Sequence, residues 1–507
     1  MRRFLLLLAL FVVVVAFVYS ITVAQYLSIT VLRSVLPAGF VIYTIEILLG
    51  LLAVVIAMRI LLRQEYAYNK SYWIIIMLLN PIVGIIAYFV FVRDFRHERL
   101  IRERPLMAEH HFLTLEETTS PRYGSHPHGE WFRFFHETTG RTVYENDTYT
   151  EILNNGDSFF PALEDAIKKA KDYIMMEFYI MKTDAIGTKI LNLLKAKAEA
   201  GVEVFVIYDH FGSERHLNRK YMRELKQSGV RIAVFDPQKI SLLNSNFNFR
   251  NHRKAIVIDG YIGFVGGLNL GDEYNHQSKQ FGFWRDTHLL VRGNGVTSIQ
   301  NVFVKDWYYV TGGILNKPLD KTVEEFDGLF AILESGPDFE VGLIKDAYFK
   351  MIAQAKTSIR ITTPYLIIEP DMMTAIRIAA KSGVRIQLLV PGKHDYAMVG
   401  YATRSYYEQL LGYGVEIYEY AELFVHSKIL IVDDLTASVG SVNFDPRSFH
   451  INFEVTAIFA NASVADLVAS FEDDVAKSRK IDAAAWKKRG FLKRLMQGFF
   501  NLFSPIF

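Results

Sequence analysis

Three apolar stretches open the chain and set its first hundred residues apart from the rest. Residues 4–24 and 72–92 carry no charge, and residues 38–58 hold a single glutamate. Each stretch has about the 20 residues that a helix needs to cross the hydrocarbon core of a membrane. The pattern predicts two or three transmembrane helices within residues 1–104, and Pro81 predicts a kink in the last of them.

The orientation of these predicted helices stays open. The arginine-rich segment at 93–104 favours a cytoplasmic position for the region that follows. Arg2 and Arg3 also favour the cytoplasm, but three crossings cannot place both ends of the membrane region there. Either residues 4–24 do not cross the membrane, as in a signal peptide, or one charge rule is broken.

Residues 105–150 are polar and rich in turn-forming residues, and they predict a linker that leads into the rest of the chain. Four histidines lie in this stretch, namely His110, His111, His126 and His128. A metal site is one interpretation. A solvated loop is favoured, because no carboxylate spacing supports coordination.

From residue 151 onward, helical and extended patterns alternate, and the alternation occurs twice. The first round predicts helix 160–171, strand 173–180, helix 187–200 and strand 202–208, and the second predicts a helix ending near 353–357, strand 358–366, a helix near 371–381 and strand 384–390. Short runs repeat too, since Ser-Gly-Val-Arg-Ile at 228–232 matches Tyr-Gly-Val-Glu-Ile at 413–417. The duplication predicts an α/β fold with mostly parallel sheets, in two pseudo-twofold-related lobes at 151–330 and 331–485 with a site between them.

Both predicted lobes carry the same arrangement of polar residues. In each, a histidine is followed two positions later by a lysine, then by four apolar residues, an aspartate, a pair of small residues and an asparagine. The first copy comprises His252, Lys254, Asp259, Gly266-Gly267 and Asn269, and the second comprises His426, Lys428, Asp433, Gly440-Ser441 and Asn443. A buried histidine beside a chance lysine would explain one copy, but matched spacing in two copies argues against that interpretation.

The residue types and their spacing indicate what the arrangement can bind and catalyse. A histidine and a lysine two positions apart on a strand point to the same face. Two facing copies would surround one anion with two imidazoles, two ammonium groups and two amides, and the small pair would let a ligand approach the backbone. This set suits a phosphodiester, because the lysines and asparagines stabilise charge on the phosphoryl oxygens. One imidazole can attack phosphorus while the other protonates the leaving oxygen, so no metal and no other cofactor is expected.

From about residue 130 to the C-terminus, these motifs resemble the phospholipase D superfamily, whose signature is this duplicated arrangement. The resemblance implies that His252 is the nucleophile and His426 the general acid and base, although pseudo-symmetry makes the two roles easy to exchange. It also implies that Asp259 and Asp433, which belong to the catalytic motif, usually have a structural role.

The resemblance implies a downstream carboxylate in each half that fixes the tautomer of a histidine. The matching positions are Asp286 and Glu454. A salt bridge to Arg285 is the alternative role for Asp286. Tyr179 and Tyr365 match family positions near the site, although packing in the core is the alternative for an isolated tyrosine.

Within the superfamily, several runs resemble the bacterial cardiolipin synthases. They lie at 73–84, 159–163, 443–449 and 502–505. The resemblance implies phosphatidylglycerol as substrate and transfer of a phosphatidyl group to a second phosphatidylglycerol through a phosphatidyl-histidine, with release of glycerol. Three alternatives are a phospholipase D that hydrolyses lipids to phosphatidic acid, a nuclease of the superfamily, and a membrane scaffold without activity.

Composition narrows these alternatives. The 507 residues are 51% hydrophobic, which agrees with a membrane portion. The net charge of +2 argues against a nucleic-acid partner. The chain has no cysteine, which excludes disulfides, thiolate catalysis and cysteine-based zinc sites.

The C-terminal tail, residues 486–507, combines five basic residues with apolar residues at helical spacing. This pattern predicts a basic amphipathic helix that lies on a surface of anionic membrane lipids. A helix that packs on the core of the protein itself is the alternative.

Overall fold

The computed structural model divides the chain into two units, Met1–Asp94 with Ile240–Ser245 and Phe95–Lys239 with Asn246–Phe507. The structure describes residues 39–62, 67–82, 84–85, 88, 126–235, 249–277, 282–318, 325–339, 342–421, 424–502 and 504. The first predicted apolar stretch, residues 4–24, lies outside these ranges.

The first unit contains helices α1 (Gly39–Leu62) and α2 (Ala67–Leu79). Ile56 and Ile60 of α1 share a buried cluster with Met77 of α2. Asn80 interrupts the helical run just before Pro81, where the sequence predicts a kink. None of the helices that the structure describes combines the length and the apolar character that crossing a membrane requires.

The second unit is built on two large sheets and a short two-stranded sheet of β8 and β14. In the described residues its strands are β1 (Val143–Glu145), β2 (Thr148–Asn154), β3 (Tyr173–Phe178), β4 (Glu203–Asp209), β5 (Arg231–Phe235), β6 (Ala255–Ile258), β7 (Ile262–Gly266), β8 (Trp284–Arg285), β9 (Thr287–Gly293), β10 (Leu329–Ser335), β11 (Ser358–Thr362), β12 (Arg385–Pro391), β13 (Glu416–Tyr420), β14 (Phe424–Val425), β15 (Ile429–Val432), β16 (Thr436–Gly440), β17 (Glu454–Ala460) and β18 (Ser478–Lys480).

The predicted duplication is visible in the strand order. The first sheet runs β2-β9-β7-β6-β3-β4-β5, and the second contains the same order as β10-β17-β16-β15-β11-β12-β13. The second sheet has two additional edge strands, β1 and β18. We call residues 148–311 the first half and residues 329–480 the second half.

The prediction of mostly parallel sheets is wrong. Within the two sheets, the described strands are parallel only in the runs β3-β4-β5 and β11-β12-β13, and their other pairings are antiparallel. The strand after each histidine-lysine motif ends in a tight hairpin. Asp259 and Gly260 have φ of 52° and 69°, and Asp433 and Asp434 have φ of 56° and 57°. Two successive residues with positive φ form the turn that reverses a strand onto its neighbour.

Helices pack on both faces of the sheets. The second unit contains α3 (Gly129–Thr139), α4 (Asn155–Lys169), α5 (Ala185–Glu199), α6 (His210–Ser213), α7 (Arg219–Gln227), α8 (Val296–Thr311), α9 (Leu343–Gln354), α10 (Pro370–Lys381), α11 (Ala397–Ser405), α12 (Tyr407–Tyr413), α13 (Pro446–His450), α14 (Ser463–Ala476), α15 (Ala483–Lys487) and α16 (Phe491–Asn501), with 3₁₀ turns at Glu214–His216 and Asp272–Asn275.

The motif strands show how the layers are arranged. Ala255 and Val257 of β6 enter a cluster that contains Val439 and Val455 of the second half. The alternate residue Ile256 points the other way, into a cluster of the first half with its helices. Because successive side chains of a strand point to opposite faces, one face of each motif strand packs toward the other half. Helices α8 and α14 also enter the cluster between the halves, with residues such as Phe303 and Leu467. Helices α4 and α5 lie on the opposite face of the first sheet. The ends of the motif strands therefore meet at the junction of the halves.

The predicted linker differs from the structure in its last part. Residues 126–150 hold α3, β1 and the start of β2. Strand β1 pairs with β10 of the second half although it precedes the whole first half. His128 is buried and its Nδ1 lies 2.8 Å from Thr436 Oγ1. His110 and His111 lie outside the described residues.

Candidate active site

Backbone pairing between the halves places both motif histidines. His252 N donates to Phe453 O at 2.9 Å, and Phe453 N donates to Arg250 O at 2.9 Å. The second motif histidine makes the equivalent contact with the first half. There β14 pairs with β8, and His426 N donates to Arg285 O at 2.7 Å. Each histidine thereby lies beside a segment of the other half.

The two predicted carboxylates are exchanged between the halves. His252 Nδ1 lies 2.9 Å from an oxygen of Glu454, and His426 Nδ1 lies 2.8 Å from Asp286 Oδ2. Both carboxylates are fully buried. The sequence motifs identify the four residues, and the structure shows that each pair takes one member from each half.

The histidines are neutral and the carboxylates ionised. Burial lowers the pKa of His252 to about 4 and, with the nearby Lys428, that of His426 to about 3. Burial raises the pKa of Asp286 and Glu454, but the facing histidines and lysines outweigh it and leave both below the ordinary value. We assign the imidazole proton to Nδ1, which donates to the carboxylate, so Nε2 presents a lone pair.

The two motif lysines are buried beside the histidines. Lys254 Nζ donates to His252 O at 2.7 Å, and Lys428 Nζ donates to His426 O. Nζ of Lys428 also lies 2.8 Å from His426 Nδ1, but an Nδ1 that donates to Asp286 cannot accept this bond. Burial lowers the pKa of Lys254 to about 7 and that of Lys428 to about 8.

The motif asparagines differ in their surroundings. Asn269 Oδ1 accepts from Ile180 N at 3.0 Å, and its Nδ2 donates to Tyr274 Oη at 3.1 Å. Asn443 is buried, and its Oδ1 has no hydrogen-bond partner among the described residues. Asn269 therefore also positions the chain that follows Tyr179.

The pair of small residues that follows each motif aspartate allows neighbouring strands to pack closely. A Cβ built on Gly266 would lie 2.6 Å from His288 Cα, and one on Gly267 would lie 2.0 Å from Asp286 Oδ1. In the second half, Ser441 replaces the second glycine and its hydroxyl donates to Glu454. The prediction that the pair gives room to a ligand is therefore wrong, because the backbone neighbours and the carboxylate use that room.

The motif aspartates accept hydrogen bonds from backbone amides and not from the motif histidines. Asp259 accepts hydrogen bonds of 2.8–2.9 Å from three consecutive amides at 171–173. Asp433 accepts from the amides at 356–358 at 2.6–3.0 Å. Both join the motif hairpin to the first parallel strand of their half. These hydrogen bonds agree with the structural role that the resemblance implies.

One alternative raised by the sequence is resolved by a contact. Arg285 pairs with Asp474 at 2.8 Å and not with the carboxylate of Asp286. The ring of Tyr179 is partly exposed and lies 5.0 Å from the ring of His252. Tyr365 is also partly exposed and donates to Asp395.

Sequence reasoning missed Arg253, which lies between the first motif histidine and lysine. Its side chain is 1% exposed and its Nη1 binds Asp306 at 2.6 Å. Its Nε donates to Glu454 O at 3.1 Å, so it holds the strand that carries the carboxylate. An arginine in a motif gives no sign of a partner two hundred residues away. Among the described residues, no cluster of histidine and carboxylate side chains is arranged to hold a metal ion.

The chain matches two family models. One, described as cardiolipin synthase, PLD-like domain, matches residues 163–307 and 348–475. The other, described as phospholipase D-nuclease N-terminal, matches residues 51–93. Both motif copies lie inside the first match.

Similar proteins cover most of the chain. Cardiolipin synthase 2 of Bacillus anthracis is 40% identical over 462 residues, 90% of each chain. The cardiolipin synthase of Alkalihalophilus pseudofirmus is 36% identical over 97% of this chain and 99% of its own. The crystal structure of phosphatidylserine synthase from Haemophilus influenzae has a TM-score of 0.56 at 14% identity, covering 71% of this chain and 95% of that one. The last comparison supports the fold alone.

The difference between Gly267 and Ser441 gives a first prediction. Gly267→Ala places a methyl group 2.0 Å from Asp286 Oδ1 and displaces the carboxylate that orients His426. We expect phosphodiester turnover to fall on the order of a hundredfold or more. The matched control Ser441→Ala leaves Glu454 in contact with His252 and loses one hydrogen bond, so we expect a loss of about tenfold or less. Steady-state kinetics check this, and equal losses in the two variants would contradict the packing argument.

The lysines give a second prediction, on pH. Because burial lowers their pKa, the ammonium charge is lost as pH rises through about 7 for Lys254 and about 8 for Lys428. We expect kcat/KM for an anionic phosphodiester to fall over this range, because its anion site loses positive charge.

An arginine does not titrate in this range, so it provides the control. Lys254→Arg should remove the lower part of the alkaline fall even if it lowers activity at every pH. An alkaline limb of unchanged shape in both Lys254→Arg and Lys428→Arg would assign the titration to another group.

Proposed function

We propose that this chain, which belongs to the cardiolipin synthase family of phospholipase D-type enzymes, makes cardiolipin. It is a phosphatidyltransferase that moves the phosphatidyl group of one phosphatidylglycerol to the terminal hydroxyl of a second and releases glycerol. The observation that carries the proposal is the pair of histidine–carboxylate contacts exchanged between the halves. Reciprocal contacts of this kind support two lobes related by a pseudo-twofold axis around one site.

The first step forms a covalent intermediate at His252. Its Nε2 attacks phosphorus, an Nε2–P bond forms and the P–O bond to glycerol breaks. Glu454 stabilises the positive charge that develops on the imidazole, because it accepts a hydrogen bond from Nδ1–H. His426 gives its proton to the departing glycerol oxygen.

The second step returns the enzyme to its starting state. The hydroxyl of the second phosphatidylglycerol transfers its proton to His426 and attacks phosphorus, and the Nε2–P bond breaks. One phosphodiester replaces another, so no nucleotide is consumed. Water must be kept away from the intermediate, because hydrolysis would yield phosphatidic acid.

Charge at the site explains how a neutral His426 becomes an acid. Without substrate, burial and Lys428 hold its pKa at about 3. A bound phosphodiester anion within contact distance favours the protonated form and raises this pKa. Lys254 and Lys428, together with Asn443 and the remaining amide proton of Asn269, stabilise the charge on the phosphoryl oxygens.

A membrane-associated enzyme fits the lipid substrate. The apolar stretches within residues 1–104 and the N-terminal family match support membrane helices, and the arginines at 93–104 support a cytoplasmic catalytic region. The tail adds a second contact with anionic lipids. One side of α16 packs on α11, where Phe500 stacks on Tyr401 at 5.5 Å. Its opposite side exposes Phe491, Leu492, Leu495, Phe499 and Leu502.

Lipid analysis after reconstitution tests the activity. We expect purified enzyme in phosphatidylglycerol vesicles to form cardiolipin and glycerol in equal amounts, because each transfer releases one glycerol. Thin-layer chromatography of labelled lipid and an assay for glycerol measure both products. Phosphatidic acid as the main product would identify a phospholipase D instead, and the inactive His252→Ala variant is the control.

The covalent histidine can be trapped. With labelled phosphatidyl-p-nitrophenol, the leaving group needs no acid, and His426→Asn removes the base for the second step. We expect this variant to retain acid-labile label on the peptide that contains His252, and His252→Asn to retain none. Peptide mapping by mass spectrometry measures it.

Label on His426 would exchange the two roles. Release of p-nitrophenol without label on either histidine would argue for direct attack by the acceptor and against a phosphatidyl-histidine.

A further inference from the structure

The two carboxylates that face the motif histidines share a feature of the local sequence. Trp284 lies two positions before Asp286, and Asn452 lies two positions before Glu454. Both side chains carry an N–H group, and both donate it to the carboxylate that follows. The duplication therefore keeps a hydrogen-bond donor at this position in both halves, although the residue type differs.

Trp284 contacts both members of one histidine–carboxylate pair. Its Nε1 donates to Asp286 Oδ2 at 3.3 Å, and the same oxygen lies 2.8 Å from His426 Nδ1. The indole ring also lies 5.1 Å from the imidazole ring of His426. Trp284 is 5% exposed, and the rings of Tyr274 and Phe424 each lie 4.9 Å from its ring. This packing holds the indole against the imidazole and against its carboxylate at the same time.

Asn452 makes the corresponding contact in the other pair. Its Nδ2 donates to Glu454 Oε1 at 3.3 Å, and that oxygen lies 3.0 Å from His252 Nδ1. Asn452 is 6% exposed, and its Oδ1 has no hydrogen-bond partner among the described residues. A buried acceptor without a partner destabilises a fold, and a leucine of similar size would fill the same space without one. Packing alone therefore does not explain an asparagine at this position.

A further donor completes the contacts of each carboxylate. The hydroxyl of Ser441 donates to Glu454 Oε2, and the backbone amide of Thr287 donates to Asp286 Oδ1 at 2.8 Å. Both oxygens of each carboxylate thus accept a hydrogen bond. A carboxylate held at both oxygens resists rotation, so it keeps the facing imidazole in one orientation.

The two contacts act on different parts of the proposed reaction. Trp284 orients His426, which protonates the departing glycerol and deprotonates the acceptor. Asn452 orients His252, which forms the bond to phosphorus. A leaving group that needs no proton makes the acid dispensable in the first step, whereas every leaving group needs the nucleophile.

We propose that Trp284 and Asn452 are positioning residues, Trp284 for the proton transfers at His426 and Asn452 for the attack by His252. The proposal rests on the roles of the two histidines inferred above. Each side chain acts through the carboxylate that it contacts, since neither an indole nor an amide exchanges a proton with the substrate in this reaction.

Two substrates that differ in the leaving group test the proposal. The glycerol oxygen of phosphatidylglycerol needs an acid to depart, whereas p-nitrophenol departs from phosphatidyl-p-nitrophenol without one. Trp284→Phe removes the indole N–H and keeps an aromatic ring. We expect this variant to release glycerol about tenfold more slowly, because His426 is less well oriented, and to keep a nearly unchanged first burst of p-nitrophenol.

Asn452→Leu removes the donor at nearly constant volume. We expect about tenfold slower release of both leaving groups, because the nucleophile is needed for each. Rapid-quench kinetics measure the release of glycerol, and stopped-flow absorbance measures that of p-nitrophenol. The midpoint of thermal unfolding should change little, since the unpaired Oδ1 is lost together with the N–H, and this separates positioning from loss of the fold.

Trp131→Phe is the matched control. Trp131 is 4% exposed, its Nε1 donates to Gln354 at 2.8 Å and its ring stacks on that of His128 at 3.6 Å, and neither partner belongs to a histidine–carboxylate pair. This variant loses the same N–H and the same ring area, so both rates should be kept.

Equal losses of both rates in Trp284→Phe, unchanged rates in Asn452→Leu, or a loss in Trp131→Phe as large as that in Trp284→Phe would overturn the proposal. Failure of the unaltered enzyme to release glycerol from phosphatidylglycerol would instead refute the proposed function.

Discussion

The exchange of carboxylates between the halves is the contact on which the rest of the site depends. Each imidazole receives its partner from the other half, at 2.8–2.9 Å, so neither half alone contains an oriented histidine. The backbone pairing of β14 with β8 and the buried Arg253 hold the exchanged partners in place. The two halves must therefore pack against each other, because the site exists only at their junction.

Burial has opposite effects on the groups of this site. It keeps the histidines neutral, which preserves the lone pair that a nucleophile needs. Burial also favours the neutral form of the lysines, since it lowers the pKa of Lys254 to about 7 and that of Lys428 to about 8. A phosphodiester between the lysines reverses the second effect, because its charge favours the ammonium forms. The site is thus electrostatically complete only with an anion in it.

Much of the site could be predicted from local sequence. The two histidines and lysines follow from identical spacing, and the structure brings them to one junction. The pairing of His252 with Glu454 could not be predicted, because contacts between distant segments leave no local pattern. The antiparallel arrangement of the motif strands could have been predicted. Asp259-Gly260 is typical of a hairpin, although the alternation of helices and strands favours parallel strands. Strand β1 has only three residues, too short a pattern to recognise before its partner is known.

Strand β1 also has a consequence for synthesis on the ribosome. It emerges before the first half, yet its partner β10 lies almost two hundred residues further along the chain. For that interval its backbone groups are an open edge, which is the kind of surface that recruits wrong partners. Its length of three residues limits this hazard, since so short an edge offers few hydrogen bonds to another chain. The nascent protein thus carries a strand whose partner becomes available only after the first half has been synthesised.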